Sequence, residues 1–218
     1  MVLKIVFRCK VVLDSKIENI LRSIEKQEQF EQENPYKIPK SEKLLAIGRN
    51  TGIFYNILLK SNNAKRILEI GMSAGYSTMW FAEAVSKKED SKIITIDQDK
   101  NKIDRAKRNF AEAGLADLIE IRNGDALKVL SQINAEKNSA EWFDFVFIDA
   151  DKERYIQYFD AVLPLVKAGG IIAADNILLP ERFQKFTRPY VEYVQKIPNI
   201  RTVTIPIDNG EELSIKLY

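Results

Sequence analysis

The chain has 218 residues, 45% hydrophobic and 29% charged, with 33 Lys plus Arg against 31 Asp plus Glu, one cysteine and no histidine. Without histidine there is no Ser-His-Asp or Cys-His nucleophile system, no imidazole base and no nitrogen-ligated zinc site, and Cys9 alone makes neither an internal disulfide nor a thiolate cluster. Any metal must therefore be held by oxygen ligands and any base must be a carboxylate, a lysine or a tyrosine, while a net charge of +2 neither demands nor forbids a nucleic-acid partner.

This length predicts a single domain, residues 1–218, with enough core to fold without staples. The opening MVLKIVFRCKVVLDSK scatters Lys4, Arg8 and Lys10 through its apolar residues. It lacks the uninterrupted apolar run of a signal peptide or membrane span, so a soluble, cytoplasmic protein with no membrane association is expected. From Ser15 to about Asn34, Ile17, Ile20, Leu21 and Ile24 recur at helical spacing before the segment turns polar, which predicts an amphipathic helix that frays outward. Pro35 and Pro39 punctuate a loop. EKLLAIGRNTGIFYNILLK then resumes a helical pattern, interrupted or kinked around Gly48 and Gly52. Residues 1–60 thus read as an N-terminal helical cap.

From Lys65 onward short apolar runs alternate with amphipathic stretches: RILEI, KIITI, LIEIR, FDFVFI and GGIIAA, each followed by a helix, then RTVTI and ELSIKLY. Residues 65–218 are expected to form an α/β core, a doubly wound, Rossmann-like, seven-stranded and mostly parallel sheet with helices on both faces. Only Pro206 to Glu211 separates the last two strands, too short for a parallel crossover, so they should form a C-terminal antiparallel hairpin turning at Asp208, Asn209 and Gly210.

The candidate chemistry lies at strand ends. LEIGMSAGYS carries Glu69 near a strand end and glycines at 71 and 75. Gly71 permits a tight turn, Gly75 permits close backbone approach, and the following helix N-terminus can receive a negatively charged group. The GxxxG spacing departs from the dinucleotide fingerprint, which argues against a nicotinamide oxidoreductase and suits a cofactor without a pyrophosphate; a purely structural turn is an equally good account of the glycines alone. Asp97 ends the second strand, where a carboxylate either accepts both ribose hydroxyls or caps the next helix; for Asp99 the cap is preferred. NGDAL sets Gly124, Asp125 and Ala126 at a third such turn, suited to an adenine, with Asp125 equally able to act as a cap.

Asp149 ends the fourth strand, and Asp175 with Asn176 ends the fifth. In a doubly wound order these strands are neighbours, so their tips lie roughly 5 Å apart. Two carboxylates and an amide oxygen form a hard donor set that favours magnesium, with manganese as a substitute; capping of turns is the alternative. Lys152, three residues past Asp149, is a candidate base, or else a solvated charge opposite Asp151 or Glu153. NILLPERFQKFT is expected to be a loop over the metal, with Leu178, Leu179 and Phe183 as an apolar wall, before Thr187 caps a short helix with Pro189 in its first turn. Arg182, Lys185 and Arg188, with Arg49 and Lys40, could meet a phosphate-bearing substrate, although a solvated charged face is the preferred reading.

LEIGMSAGYS, TIDQD, NGDA, FIDADKERY and AADN stand in the order and spacing of the class I S-adenosylmethionine-dependent O-methyltransferases, and the chain from about Ile47 resembles their cation-dependent branch, which contains catechol and caffeoyl-CoA O-methyltransferases. The resemblance implies S-adenosylmethionine held by Ile47, Glu69, Gly71, Met72, Tyr76, Ser77, Asp97, Asp125, Ala126 and Asp151. It implies Mg2+ or Mn2+ held by Asp149, Asp175 and Asn176, Lys152 as the catalytic base, and a homodimer. The expected reaction is direct displacement at the sulfonium methyl by the hydroxyl of a small catechol-like or acyl-CoA acceptor. A hydroxylated uridine in tRNA is the alternative acceptor, and a non-catalytic S-adenosylmethionine-binding protein is an alternative of a different class.

Overall fold

The computed structural model describes residues 13–34, 36–39, 43–136 and 142–218; Cys9, Pro35 and Lys40 lie outside them. Seven strands form one sheet: β1 Arg66–Ile70, β2 Lys92–Asp97, β3 Ile119–Asn123, β4 Phe143–Ile148, β5 Val166–Ala174, β6 Ile200–Ile205 and β7 Glu211–Lys216. Their order is β3-β2-β1-β4-β5-β7-β6. The first five are parallel, β7 runs antiparallel to β5, and β6 pairs antiparallel to β7, as the short connection requires.

Alternation along the strands assigns each side chain to a face. Ile67, Ile93, Phe145, Phe147, Ile171 and Ala173 pack beneath α2 (Arg49–Ser61), α3 (Tyr76–Val85) and α4 (Lys100–Ala113). Leu68, Ile70, Ile94, Ile96, Val146, Ile148 and Ile172 pack beneath α5 (Ala126–Glu136), α6 (Tyr155–Val162) and α7 (Gln184–Val194). With helices on both sides, β1 and β4 are buried on both faces, which is why apolar residues occupy both alternating sets of positions, interrupted only by Arg66, Glu69 and Asp144. Among the described residues no helix is long and apolar enough to cross a membrane.

Three expectations are corrected. α1 (Ser15–Glu33) does not fray: its polar half is docked, with Glu31 buried and accepting the Leu44 N–H at 2.9 Å. The helical pattern is interrupted at Gly48, as expected, so residues 43–48 are irregular rather than helical, but α2 runs unbroken through Gly52, whose missing Cβ would lie 2.4 Å from the Trp80 indole. The segment after Asn176 contains a 3-10 turn, Glu181–Phe183, that feeds straight into α7 at Gln184. Thr187 and Pro189 therefore lie inside the helix, and Thr187 Oγ1 donates back to the Ile177 carbonyl at 2.9 Å instead of capping.

Candidate active site

The C-terminal tips of β1, β2, β4 and β5 point to one edge of the sheet. Pairing continues past the strand ends: Gly71 N–H donates to Ile96 O at 2.9 Å, Asp149 N–H to Ile70 O at 2.8 Å and Asp175 N–H to Ile148 O at 3.1 Å. The first residue of each connection is thereby held in register. Gly71 has φ +96°, and a Cβ there would lie 2.1 Å from the Asp149 carbonyl oxygen, so this glycine admits the neighbouring strand end. Gly75, at φ +84°, caps α3 in a left-handed conformation, and its Cβ would meet the Phe110 ring at 2.4 Å. The close approach at Gly75 is thus to Phe110, a packing role that the sequence pattern did not distinguish from a ligand role.

Between the glycines, the Ser73 N–H donates to Asp97 Oδ2 at 2.8 Å, and the Asp99 N–H donates to Asp97 Oδ1 at 2.9 Å. Asp97 is thus fixed at the strand tip by two backbone donors, while Asp99 is the α4 cap, accepting from Asn101 and Lys102. Ser73 Oγ donates to the Leu44 carbonyl, which brings Ile47, buried on the irregular 43–48 segment, to the same edge. Met72 and Tyr76 are buried beside the loop, and the Tyr76 hydroxyl donates to Glu25 Oε1 of α1 at 2.6 Å.

Glu69 is enclosed beneath this loop. Its odd position faces α3, so its carboxylate accepts from Ser77 Oγ at 2.5 Å, Thr78 Oγ1 at 2.5 Å and Thr95 Oγ1 at 2.6 Å. Burial outweighs these donors and lifts its pKa to about 7, with the Asp149 charge pushing the same way. The Glu69 carboxylate therefore faces Ser77 and the start of α3 rather than open space. Ala126 opens α5, and Asp125 before it is a cap, accepting the Lys128 N–H at 3.2 Å; it also pairs with Arg154 at 2.7 Å, which holds it below the usual carboxylate range.

On the other half of the edge, Asp149 Oδ1 lies 2.5 Å from Lys152 Nζ. Lys152 opens a 3-10 turn, Lys152–Arg154, with exposed Asp151 before it, and its partner is neither Asp151 nor Glu153. The side chain is buried, its Nζ 5.1 Å from the centre of the Tyr155 ring and 5.7 Å from that of Phe183. Asp175 is also buried, accepts from Asn176 N at 2.6 Å and Asn176 Nδ2 at 3.1 Å, and has its pKa pushed up to about 6 by burial and by Asp149.

A further carboxyl, Glu211 of β7, lies against Asp175 and accepts from the Tyr55 hydroxyl at 2.6 Å. Burial and the neighbouring Asp175 push its pKa well above the usual carboxylate range, while its Oε1 is buried without a hydrogen-bond partner. Sequence reasoning missed Glu211, along with Glu212, which is buried and accepts from Thr202 and Thr204. No local pattern marks a charged pair opening a strand as buried.

The donor set fits a hard divalent cation. It comprises two carboxylates and an amide on adjacent strand ends, and burial together with Asp149 disfavours ionisation of Asp175, a cost that a cation there would relieve. Among the described residues no cluster of three or more Asp, Glu, Cys or His is arranged for a metal, so the amide of Asn176 is needed to complete this set.

Arg182 stacks on Phe183 at 4.8 Å and Lys185 on Phe186 at 4.5 Å, and Gln184, Lys185, Arg188 and Pro189 line a cleft of about 290 Å³. None of the three cations has a carboxylate partner among the described residues. Arg49 does not join them: it is bound by Glu18 at 2.7 Å and Glu25 at 2.8 Å and lies 5.3 Å over Trp80.

A glycine loop without dinucleotide spacing, a strand-tip Asp97 beside it and an acid pair with a lysine two strands away together define a methyltransferase of the S-adenosylmethionine-dependent class. Comparison with known proteins makes the assignment specific: residues 22–216 match the O-methyltransferase family, to which the chain belongs. It is 35% identical over 182 residues to caffeoyl-CoA O-methyltransferase 5 of Nicotiana tabacum, a match spanning 77% of this chain and 75% of that one. It is 36% identical over 185 residues to caffeoyl-CoA O-methyltransferase 1 of Zea mays, covering 78% and 71%. In structure it matches an O-methyltransferase from Bacillus cereus solved in complex with SAH, with a TM-score of 0.76, 28% identity and coverage of 97% and 93%.

Proposed function

We propose that this enzyme methylates a hydroxyl of a small aromatic acceptor, catechol-like or carried as an acyl-CoA ester, using S-adenosylmethionine and a divalent cation, Mg2+ or Mn2+. The observation that carries the reading is the buried Lys152 ammonium 2.5 Å from Asp149, walled by Tyr155 and Phe183. The caffeoyl-CoA O-methyltransferases among the relatives support the acceptor class. Asp97, Gly71, Met72, Tyr76, Ser77, Ile47, Asp125, Ala126 and Asp151 are proposed to bound the cofactor, with Glu69 acting through Ser77 and α3. Asp149, Asp175 and Asn176 would hold the cation.

When bound, S-adenosylmethionine supplies an electrophilic methyl group, and the cation lowers the proton affinity of the acceptor hydroxyl. This chain's part is orientation and proton handling. Asp149 holds Lys152 Nζ at the tip of β4, so Lys152 in its neutral amine form is placed to take the hydroxyl proton where acceptor oxygens reach the acid pair. The Phe183 ring offers an apolar surface against which an aromatic acceptor can lie, excluding water from the reacting oxygen.

The test is methyl transfer from labelled S-adenosylmethionine to a catechol panel, an acyl-CoA and undermodified tRNA, with and without a chelator. The Asp175→Ala variant should lose at least about a hundredfold in metal-dependent turnover, as expected for removal of an electrostatic site, yet keep cofactor affinity. Undiminished transfer after chelation would overturn the metal assignment. A tRNA acceptor is the second reading, favoured by the carboxylate-free Arg182, Lys185 and Arg188; a gel shift with bulk tRNA at two salt concentrations tests it. Homodimerisation completes the reading, with exposed Phe30, Leu45 and Ile57 as apolar surface, and sedimentation measures it.

A further inference from the structure

The turn between β6 and β7 touches both sides of the acceptor half of the site. Asp208 Oδ2 accepts from the Thr51 N–H at 2.9 Å and Thr51 Oγ1 at 3.0 Å, and Asp208 Oδ1 accepts from Asn50 Nδ2 at 3.0 Å. α2 begins after Gly48, which has no side chain to cap it, so Asp208 supplies the cap from across the fold. A Cβ on Gly48 would lie 2.0 Å from Asp208 Oδ2, so the glycine makes the room. The next residues face the other way. Asn209 O accepts the N–H groups of Leu178 at 3.0 Å and Leu179 at 2.9 Å, and Gly210 O accepts that of Ile177 at 2.9 Å. Gly210 has φ +88°, and its Cβ would meet Leu178 Cγ at 2.5 Å. Glu211 then returns to α2 through Tyr55.

Four consecutive residues thus join α2 to the segment that leaves β5. That segment starts at Asn176, whose φ of 59° is a left-handed conformation that asparagine adopts more readily than other non-glycine residues and that turns the chain away from the strand end. It ends on Phe183, which faces Lys152.

We propose that the turn Asp208–Glu211 is a clasp that sets the position of residues 176–183 over Lys152, and that Asp208 is a positioning residue for the acceptor side of the site. The clasp stands on the geometry alone; its effect on the acceptor rests on the proposed function. The hydrogen bonds of Asp208 go to Asn50 and Thr51 of α2, and it reaches the glycine loop only indirectly, through the 43–48 segment that Ser73 holds, so the cofactor side should respond less than the acceptor side.

The experiment is hydrogen exchange on the full-length wild type and on Asp208→Ala, together with S-adenosylmethionine titration and steady-state kinetics with catechol and saturating Mg2+. Loss of the cap should speed exchange of the Ile177–Leu179 amides roughly fivefold or more while leaving the β1 amides unchanged and moving the cofactor Kd by a smaller factor than the KM for catechol. The KM for catechol should rise by a larger factor than kcat falls. Thr51→Val, which deletes one of three donors and keeps the backbone N–H, should give a smaller increase at the same amides and serves if Asp208→Ala does not fold. Wild-type exchange at residues 177–179 in the variants, or equal acceleration in β1, would overturn the clasp. If wild type methylates no catechol, the exchange data still decide the clasp, and the proposed acceptor alone fails.

Discussion

Replacing Glu69 with glutamine removes a negative charge from beneath the glycine loop while keeping the shape of the side chain. The carboxyl is fully enclosed, and its pKa is lifted from an ordinary 4.5 to about 7. Because the folded-state value lies above the unfolded one, the folded protein binds this proton more tightly. The associated stability is fully present below about pH 4.5 and is lost as the pH rises through about 7. The interval from 4.5 to about 7, at about 1.36 kcal/mol per pH unit, corresponds to about 3 kcal/mol. Glutamine carries no charge at any pH, and the hydroxyls of Ser77, Thr78 and Thr95 can rotate to meet either end of its amide. Urea unfolding of both proteins at constant ionic strength between pH 5 and 8 gives the wild-type minus variant difference. That difference cancels groups common to both, including Glu28 and Asp175, whose values are also raised. It should fall by about 2 to 3 kcal/mol as the pH increases. A difference that is flat or rises with pH would refute the reasoning, because the carboxyl would then ionise as easily inside the fold as outside.

Three further outcomes are expected. Lys152→Met should cut methyl transfer by about 10²- to 10⁴-fold, the contribution of a positioned base, with S-adenosylmethionine Kd in calorimetry unchanged. Gly75→Ala forces a Cβ to within 2.4 Å of the Phe110 ring at φ +84°, so it should lower the urea midpoint, correspond to a loss of about 1 to 3 kcal/mol, and weaken cofactor binding in the same titration. Arg49→Ala leaves Arg22 as the one cation shared by Glu18 and Glu25 and should destabilise by about 1 kcal/mol in thermal unfolding, with S-adenosylmethionine affinity changing only as far as Glu25 shifts its hold on the Tyr76 hydroxyl.

What the sequence made legible divides by the range of the interaction responsible. RILEI coincides with β1 residue for residue, since three branched apolar residues at 67, 68 and 70 mark a strand buried on both faces even with Glu69 among them. Asp99 is recognisable as a cap because its donors lie two and three residues on. β5 begins at Val166, ahead of the GGIIAA run, because exposed Lys167 and two glycines hide its pairing with Phe143. The α7 start at Gln184 was hidden by Thr187 and Pro189, which are good start signals in isolation; the Thr187 hydroxyl is instead committed to Ile177. The α2 start was missed for a different reason. Its cap is a side chain 157 residues away, which no local window contains.

The same division applies to the site. The proposed cofactor half is assembled from strand-to-helix turns whose glycines and acids are close in sequence: Gly71, Ser73 and Gly75 on one turn, Asp97 and Asp99 on the next. These elements fold with the parallel sheet itself, so substitutions there should alter cofactor affinity and stability together. The acceptor half is held differently. Lys152 and Asp149 are local, but Phe183 is placed through a segment tied to a turn that follows the next helix and strand. If the proposed clasp holds, changes in that turn should shift acceptor specificity more than cofactor affinity. Motifs alone consequently identify the reaction class before the acceptor, because the residues that shape the acceptor side are set by contacts between distant parts of the chain.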